Sequence, residues 1–230
     1  MVGLIYCKSG GGKTVNSTLV RAPIKGRNLL MCSDNSEVVL NNFDRPNLDI
    51  EKITHCVKSR TDPSDDTYLT AQIENLVETG KYDNLIVDNI SDLFDMWILE
   101  LDEIGNSKDK RQDYQLVYQN LKRIVRKATM YNCNVIFTAW LNITQLSDPS
   151  GKPYYQYSPK IPDKILDNIC GLCNIVGMVQ QTIDDKGNSI WFYNLKPTKE
   201  IYAKDQLFNR TACKPESLFD GGKVKKENNK

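Results

Sequence analysis

The sequence predicts an α/β domain whose mostly parallel sheet is flanked by helices and finished by a C-terminal β-hairpin. Three observations carry that prediction. Apolar runs of strand length alternate with helical periods as far as Trp140, the pattern of strand–helix–strand units joined by right-handed crossovers. The first of these runs, Val2-Gly3-Leu4-Ile5-Tyr6, leads straight into the glycine-rich stretch C-K-S-G-G-G-K-T at Cys7–Thr14. Near the other end, Ile175–Thr182 and Ile190–Leu195 flank the polar turn Asp184-Asp185-Lys186-Gly187-Asn188, a hairpin signature.

Taken in order, Gly3–Cys7 is expected to be the first strand and Lys13–Arg21 the first helix. Asn28–Cys32 (N-L-L-M-C) is a short buried strand running into the polar stretch Ser33-Asp34-Asn35-Ser36. Phe43–Pro63 suits either a strand or a turn of helix, since Leu48, Ile50 and Ile53 serve both. Tyr68, Ile73, Leu76 and Val77 lie close to helical spacing, and Gly80 stops that helix. Asn84–Val87 then forms a strand ending at Asp88. Ser91 caps a helix carrying Leu93, Phe94, Trp97, Ile98 and Leu101. Asn106–Asp113 is expected to be a polar loop, Tyr114–Tyr131 a long amphipathic helix, and Cys133–Trp140 another strand. Leu146–Pro162 suits either a tyrosine-rich loop or a tyrosine-rich hairpin packed on its own domain. The tail 221–230 (G-G-K-V-K-K-E-N-N-K) has the composition of disorder, leaving 1–220 as one domain.

Composition narrows the classes. A chain of 230 residues buries roughly 70% of its unfolded surface, enough to need no disulfide staples. With 26% charged and 40% hydrophobic residues it reads as globular. No apolar run reaches membrane-spanning length and no signal-peptide pattern is evident, so a cytoplasmic location and no membrane partner are expected. Seven cysteines, an odd number, and one histidine, His55, leave the lone C-x-x-C of Cys170 and Cys173 short of a zinc site, which wants four ligands. These thiols are expected to be buried small apolar groups. A single histidine also argues against Ser-His or Cys-His catalysis. The net charge of +1 gives no strong overall field, so any nucleic-acid contact must come from local patches.

The chemistry lies in the glycine-rich stretch. A polyphosphate needs backbone N–H donors aimed at one point, and only glycines let the main chain approach so closely. Lys8, Ser9, Gly10, Gly11, Gly12, Lys13, Thr14 and Val15 are the expected nucleotide-binding residues. Lys13 reaches the β- and γ-phosphates of ATP, and the Thr14 hydroxyl ligates Mg²⁺. The usual pattern G-x-x-x-x-G-K-[ST] is departed from at one place: Cys7 stands where its first glycine would be. Leu85-Ile86-Val87-Asp88 supplies the carboxylate at the end of a buried strand that such a metal requires, making Thr14 and Asp88 the metal residues. Asp34, just past the second strand, is the candidate base for activating water, with Glu37 one turn further on. Thr138 is placed to hydrogen-bond the γ-phosphate or the attacking water. Lys13, Asp34, Asp88 and Thr138 together form the candidate catalytic set.

The order of these pieces resembles the RecA/RadA-like P-loop ATPase core, and more narrowly the bacteriophage ATPases of the single-strand annealing recombination type. The matching segments are Tyr6–Thr14, L-I-V-D-N-I-S at Leu85–Ser91, Q-D-Y at Gln112–Tyr114, N-V-I-F-T-A-W at Asn134–Trp140 and Pro159–Leu172. That resemblance implies a RecA-like ATPase acting with single-stranded DNA, as a homo-oligomer, beside phage or host recombination and replication proteins in an infected bacterial cell. It also implies a glutamate near strand two as base, where this chain has the shorter Asp34. In a RecA-like arrangement the nucleic acid faces Gly105–Asp113 and Leu146–Pro162, the latter interleaving Tyr154, Tyr155 and Tyr157 with Lys152 and Lys160. Bases stacking on aromatic faces gain roughly 1–3 kcal/mol each. Lys223, Lys225 and Lys226 read first as part of a solvated tail, and otherwise as a source of weak, salt-sensitive attraction. Lys196, Lys199 and Lys204 are candidates to complete a neighbouring subunit's site, whereas Arg123 and Arg126 read as an exposed basic face. Two other classes stay open: a nucleotide-switched partner-binding module, and a P-loop kinase, whose arginine-rich lid would have only Arg111 in Asn106–Asp113.

Overall fold

The computed structural model describes residues 1–57, 68–104 and 109–220. The expected tail, the end of the ambiguous Phe43–Pro63 stretch and residues 106–108 of the expected polar loop lie outside them. The strands are β1 (Val2–Cys7), β2 (Asn28–Cys32), β3 (Leu48–Lys52), β4 (Asn84–Asp88), β5 (Asn134–Ser147), β6 (Pro153–Pro159), β7 (Ile175–Ile183), β8 (Ser189–Asn194), β9 (Lys204–Asp205) and β10 (Ala212–Cys213). The helices are α1 (Lys13–Ser17), α2 (Tyr68–Glu78), α3 (Ile90–Ile104), α4 (Lys110–Ala128) and α5 (Asp163–Leu172), with a 3₁₀ segment over Ser36–Asn42.

Along the sheet the order is β10-β8-β7-β1-β5-β4-β2-β3, with β6 paired to β5 and β9 to β7. From β3 to β7 every neighbouring pair is parallel, and the antiparallel partners come at the β8 end and on β6. The architecture is the expected α/β one, mostly parallel and helix-flanked, and Ile175–Asn194 is the expected hairpin. Asp184 organises its turn, accepting from the amides of Lys186 and Asn188 at 2.9 and 2.7 Å.

Strict alternation splits the strands between two cores, as a sheet covered on both faces requires. Leu4, Tyr6, Leu29, Met31, Leu85, Val87, Val135 and Phe137 face the larger core, which α2–α5 supply with Leu69, Trp97, Val117, Leu121 and Ile169. Ile5, Leu30, Ile86 and Ile136 face the other, closed by Val20, Leu40, Tyr193, Leu195 and Leu218. The buried Cys170 and Cys173 belong to the larger core, and burial pushes the Cys170 thiol up to about 12.

Several elements differ from expectation. The ambiguous stretch holds an edge strand, β3, paired in parallel with β2 from Asn28↔Leu48 to Cys32↔Lys52. The first helix stops at Ser17, not Arg21: Ser17 and Thr18 turn their hydroxyls back onto the carbonyls of Thr14 and Val15, a local competition that weakens helices. Lys110–Asp113 is the first turn of α4 and not loop, because Asp109 caps it by accepting from the Arg111 amide. Of the two readings of the tyrosine-rich stretch, the hairpin is the one observed. β5 runs on past Trp140 to Ser147 and pairs antiparallel with β6, forming a hairpin that leaves the main sheet. Its Pro153 and Pro159 are tolerated because they lie at the two ends of β6, away from the bridge that Tyr157 makes to Ile201 on the other side.

Candidate active site

The loop 8–12 joins the carboxyl end of β1 to α1, the end of a parallel sheet where ligands bind. Gly10 and Gly12 hold φ of 71° and 79°, the left-handed region that side chains disfavour. The Gly11 amide donates to Lys8 O at 3.0 Å, closing the loop, and a Cβ on Gly11 would lie 2.9 Å from both that oxygen and Cys7 Sγ. Cys7 is therefore part of the loop's packing: its thiol is buried, donates to Lys8 O at 3.2 Å, and fills the space beside Gly11. Burial pushes the Cys7 thiol up, and the nearby Lys13 cation partly offsets this. Lys13 and Thr14 are almost fully buried at the start of α1, and Asn16 ties back to Gly12 O at 2.8 Å.

Asp88 ends β4 and is wholly buried. Three hydroxyls converge on its carboxylate. Thr14 donates to Oδ2, Thr138 donates to Oδ1, and Ser36 donates to Oδ2 at 2.9 Å. Sheet register explains the meeting: Val87 pairs with Phe137 and Ile5 with Thr138, so β5 carries Thr138 past the Asp88 end of β4 beside the loop leaving β1. Thr138 was expected to meet phosphate or water. Its hydroxyl donates to Asp88 here and so helps to hold that carboxylate in place. Ser36 was singled out only as part of a polar stretch; its place four residues past β2's last residue, Cys32, was the available signal.

Asp34 accepts from the Ser36 amide at 2.9 Å and from Asn89 Nδ2 at 3.0 Å, which fixes its carboxylate at the cleft wall. Glu37 is turned away and ion-paired with Lys52 at 2.6 Å. Burial alone would lift the Glu37 carboxyl, but Lys52 holds it below the usual range. Ser9, Gly10, Gly12, Lys13, Thr14, Val15 and Asp34 line one cleft of about 460 Å³, together with Ser36, Val39 and Trp140. Lys8 contributes its carbonyl and leaves its side chain exposed.

The aromatic walls were not anticipated. Trp140 lines the cleft, with Lys160 Nζ 4.9 Å from its ring centroid. The Trp191 ring lies 3.3 Å from where a Gly12 Cβ would be. Since the chain has three tryptophans and Trp97 is fully buried, adding Mg²⁺ and ATP is expected to change intrinsic emission through the other two. The change should vanish in Lys13→Ala; a response that survives in that variant would place the nucleotide elsewhere. Of the expected shared-site cations, Lys204 is already used, donating to the carbonyls of Cys170 and Gly171 at 2.7 and 3.3 Å, and Lys199 sits 5.3 Å over the Tyr154 ring.

Comparison with known proteins bears on this arrangement. No curated protein sequence matches the chain significantly. Among solved structures, the KaiC-like protein PH0186 from Pyrococcus horikoshii OT3 is similar at 11% identity and a TM-score of 0.48, over 86% of this chain and 80% of that one. The flagellar accessory protein FlaH from Methanocaldococcus jannaschii is similar at 14% identity and a TM-score of 0.40, over 84% and 76%. A family model described as an AAA domain matches residues 1–207, which takes in the glycine loop, Asp88 and both hairpins. With a phosphate loop running into Thr14 and a strand-end carboxylate bonded to it, the chain belongs to the AAA domain family of P-loop ATPases.

Proposed function

We propose that the protein binds ATP with Mg²⁺ and hydrolyses it, working as an oligomer with single-stranded DNA in phage recombination, annealing or replication. The observation that supports the nucleotide part best is the hydrogen bond joining Thr14 of the loop to the buried Asp88 carboxylate. One carboxylate plus hydroxyl oxygens suits Mg²⁺, which keeps several waters and takes its remaining ligands from substrate phosphates. A cleft of about 460 Å³ walled by Gly10, Gly12 and Lys13 suits the triphosphate. When bound, Mg²⁺ offsets the charge that develops on the transferred phosphoryl group.

The chain's own residues do the rest. The loop amides and Lys13 hold the phosphates and balance their charge. Ser36 and Thr138 keep both Asp88 oxygens directed at the Thr14 end of the cleft. Asp34 takes the proton of the attacking water as its oxygen bonds to the γ-phosphorus and the bond to the β–γ bridging oxygen breaks, releasing ADP. Asn89 and the Ser36 amide hold Asp34 in place for that step.

The single-strand part draws support from the β5–β6 hairpin, where Ile143 and Tyr155 are each 55% exposed. Phosphate release should be measured for wild type, Lys13→Ala and Asp34→Asn, with and without single-stranded DNA. Lys13→Ala is expected to abolish turnover, and Asp34→Asn to lower it about 10²-fold, the lower part of what a positioned base contributes. Unchanged turnover in Asp34→Asn would remove that residue as the base. High basal turnover independent of DNA and protein concentration would remove the oligomeric, DNA-linked part.

A further inference from the structure

α4 carries a second set of chemistry-bearing residues that the nucleotide cleft does not use. Arg111, Gln115, Gln119, Lys122 and Arg126 recur at spacings of four, four, three and four, so they form one stripe along the helix. The opposite side is the buried one, with Val117, Leu121, Ile124, Val125 and Ala128. Every member of the stripe is a hydrogen-bond donor and none is a carboxylate. Two clefts lie along it and meet at Gln119. One of about 340 Å³ runs from Arg111 to Gln119, and one of about 580 Å³ lies between α4 and α5, where Lys122 and Arg126 face Asn168.

The charge is concentrated there. The whole chain has a net charge of +1, whereas α4 alone holds Lys110, Arg111, Lys122, Arg123, Arg126 and Lys127 against the buried Asp113. Lys110 and Lys127 are paired with Asp102 and Glu74 at 3.1 and 2.7 Å. Arg111, Lys122 and Arg126 have no such partner among the described residues. The one carboxylate in the lining, Asp167, accepts from the Tyr202 hydroxyl at 2.8 Å.

Beside the stripe runs an aromatic ladder. Tyr114 and Tyr118 precede Gln115 and Gln119 by one residue; Phe94 of α3 stacks on Tyr118 at 5.9 Å and meets Tyr114 tilted at 6.1 Å, and the two tyrosine rings lie 6.3 Å apart. Tyr114 is 41% exposed. From Arg111 to Arg126 the stripe extends roughly 22 Å at 1.5 Å per residue. We infer that this α4 groove binds the backbone of a single-stranded nucleic acid, its phosphates on Arg111, Lys122 and Arg126 and an unstacked base against Tyr114. Cations in a row with aromatic faces beside them are the means by which single strands are held without sequence readout. An anionic membrane would meet a concave surface whose aliphatic lining residues, Leu116 and Leu172, are half-buried and offer no projecting anchor. The inference shares with the proposed function the expectation that a single strand is bound, but places it on a different surface, and the groove has no lining residue in common with the nucleotide cleft.

The test is fluorescence anisotropy with a labelled oligothymidylate about 20 nucleotides long, several site lengths for a groove of this kind, in the absence of ATP. The intact chain, the double variant Lys122→Gln/Arg126→Gln, Tyr114→Ala and Tyr155→Ala are compared over a salt series. The double variant is expected to bind roughly tenfold or more weakly, with its log K against log salt slope reduced by about 1.4, two contacts at about 0.7 each. It should keep the Mg²⁺–ATP change in tryptophan emission, which shows that it is folded. Tyr114→Ala is expected to weaken the single strand too. Wild-type affinity in the double variant overturns the inference, and so does a duplex of the same length bound as tightly as the single strand. If only Tyr155→Ala loses binding, the strand lies on the hairpin and the proposed function survives without this groove. If the intact chain binds no oligonucleotide, both fail.

Discussion

Asp88→Ala is expected to lower Mg²⁺-dependent ATP turnover by about 10²–10³-fold, the loss typical of removing one preorganised charge-stabilising group, and to lower stability as well. The carboxylate is wholly buried and takes hydrogen bonds from Thr14, Ser36 and Thr138. Removing it leaves three hydroxyls without their acceptor, and each buried unsatisfied donor costs about 1–3 kcal/mol. Hydroxyls rotate and find carbonyls nearby, so a total of about 2–4 kcal/mol is expected in place of the full sum. Asp88→Asn separates the two effects. It keeps the volume and one acceptor oxygen, so much of the stability should return, while turnover should not, because the negative charge is gone. Thermal unfolding without nucleotide and steady-state phosphate release read the two separately. Full activity in Asp88→Asn would show that charge at this position is dispensable.

Gly12→Val should weaken ATP binding by about 100-fold or more, the equivalent of about 2.7 kcal/mol. The position has φ of 79°, and a Cβ there would lie 2.9 Å from Asn16 Nδ2 and 3.3 Å from the Trp191 ring. A β-branched residue in the left-handed region is a backbone outlier that costs on the order of 1–3 kcal/mol before any contact is counted. Relieving the clash moves Asn16, which holds Gly12 O at 2.8 Å, and so disturbs the loop that presents the amides. Gly26→Val is the control. Gly26 has φ of 73° but nothing within 4 Å of a Cβ, so it should lose comparable stability yet bind ATP normally by calorimetry. Equal loss of binding in both variants would mean that the effect is only backbone strain.

The parts of the site that were legible in the sequence are those whose chemistry is local. Three glycines, Lys13 and Thr14 are contiguous, so their joint meaning survives without tertiary information. Asp88 was readable because an acid after three buried apolar residues marks the end of a strand. The role of Thr138 was not, since a threonine in a strand is first a strand former. Only the register of β5 between β1 and β4 reveals that its hydroxyl meets Asp88. Trp191 likewise reaches Gly12 from β8, the second arm of a late hairpin, and nothing within eight residues of Trp191 signals it.

The fold shows the same division. The interior parallel strands declared themselves through uninterrupted apolar runs such as N-L-L-M-C, because both sheet faces are covered, whereas the exposed edge strand β3 (L-D-I-E-K) did not. The hairpin β5–β6 was only one of two readings of Leu146–Pro162, and its long first strand past Trp140 was not foreseen. It carries polar side chains on a strand exposed on both faces over Ile143–Gln145, so the hydrophobic signal fades where the pairing continues. The tyrosines of Pro153–Pro159 and the Ser150-Gly151 turn were the available signs, and tyrosine favours strands. At the start of α4, Asp109 was the missed cap, obscured by the polar composition around it.

The length of β5 has one mechanical consequence. Thr138, bonded to the Asp88 carboxylate, and Ser147, at the far tip, belong to one uninterrupted strand. Nine residues at about 3.3 Å each make an arm of roughly 30 Å, so a tilt of about 5° at its fulcrum swings the tip sideways by about 2.6 Å. Under the proposed function, a small adjustment around the bound nucleotide would be magnified at the hairpin tip with no hinge and no refolding required.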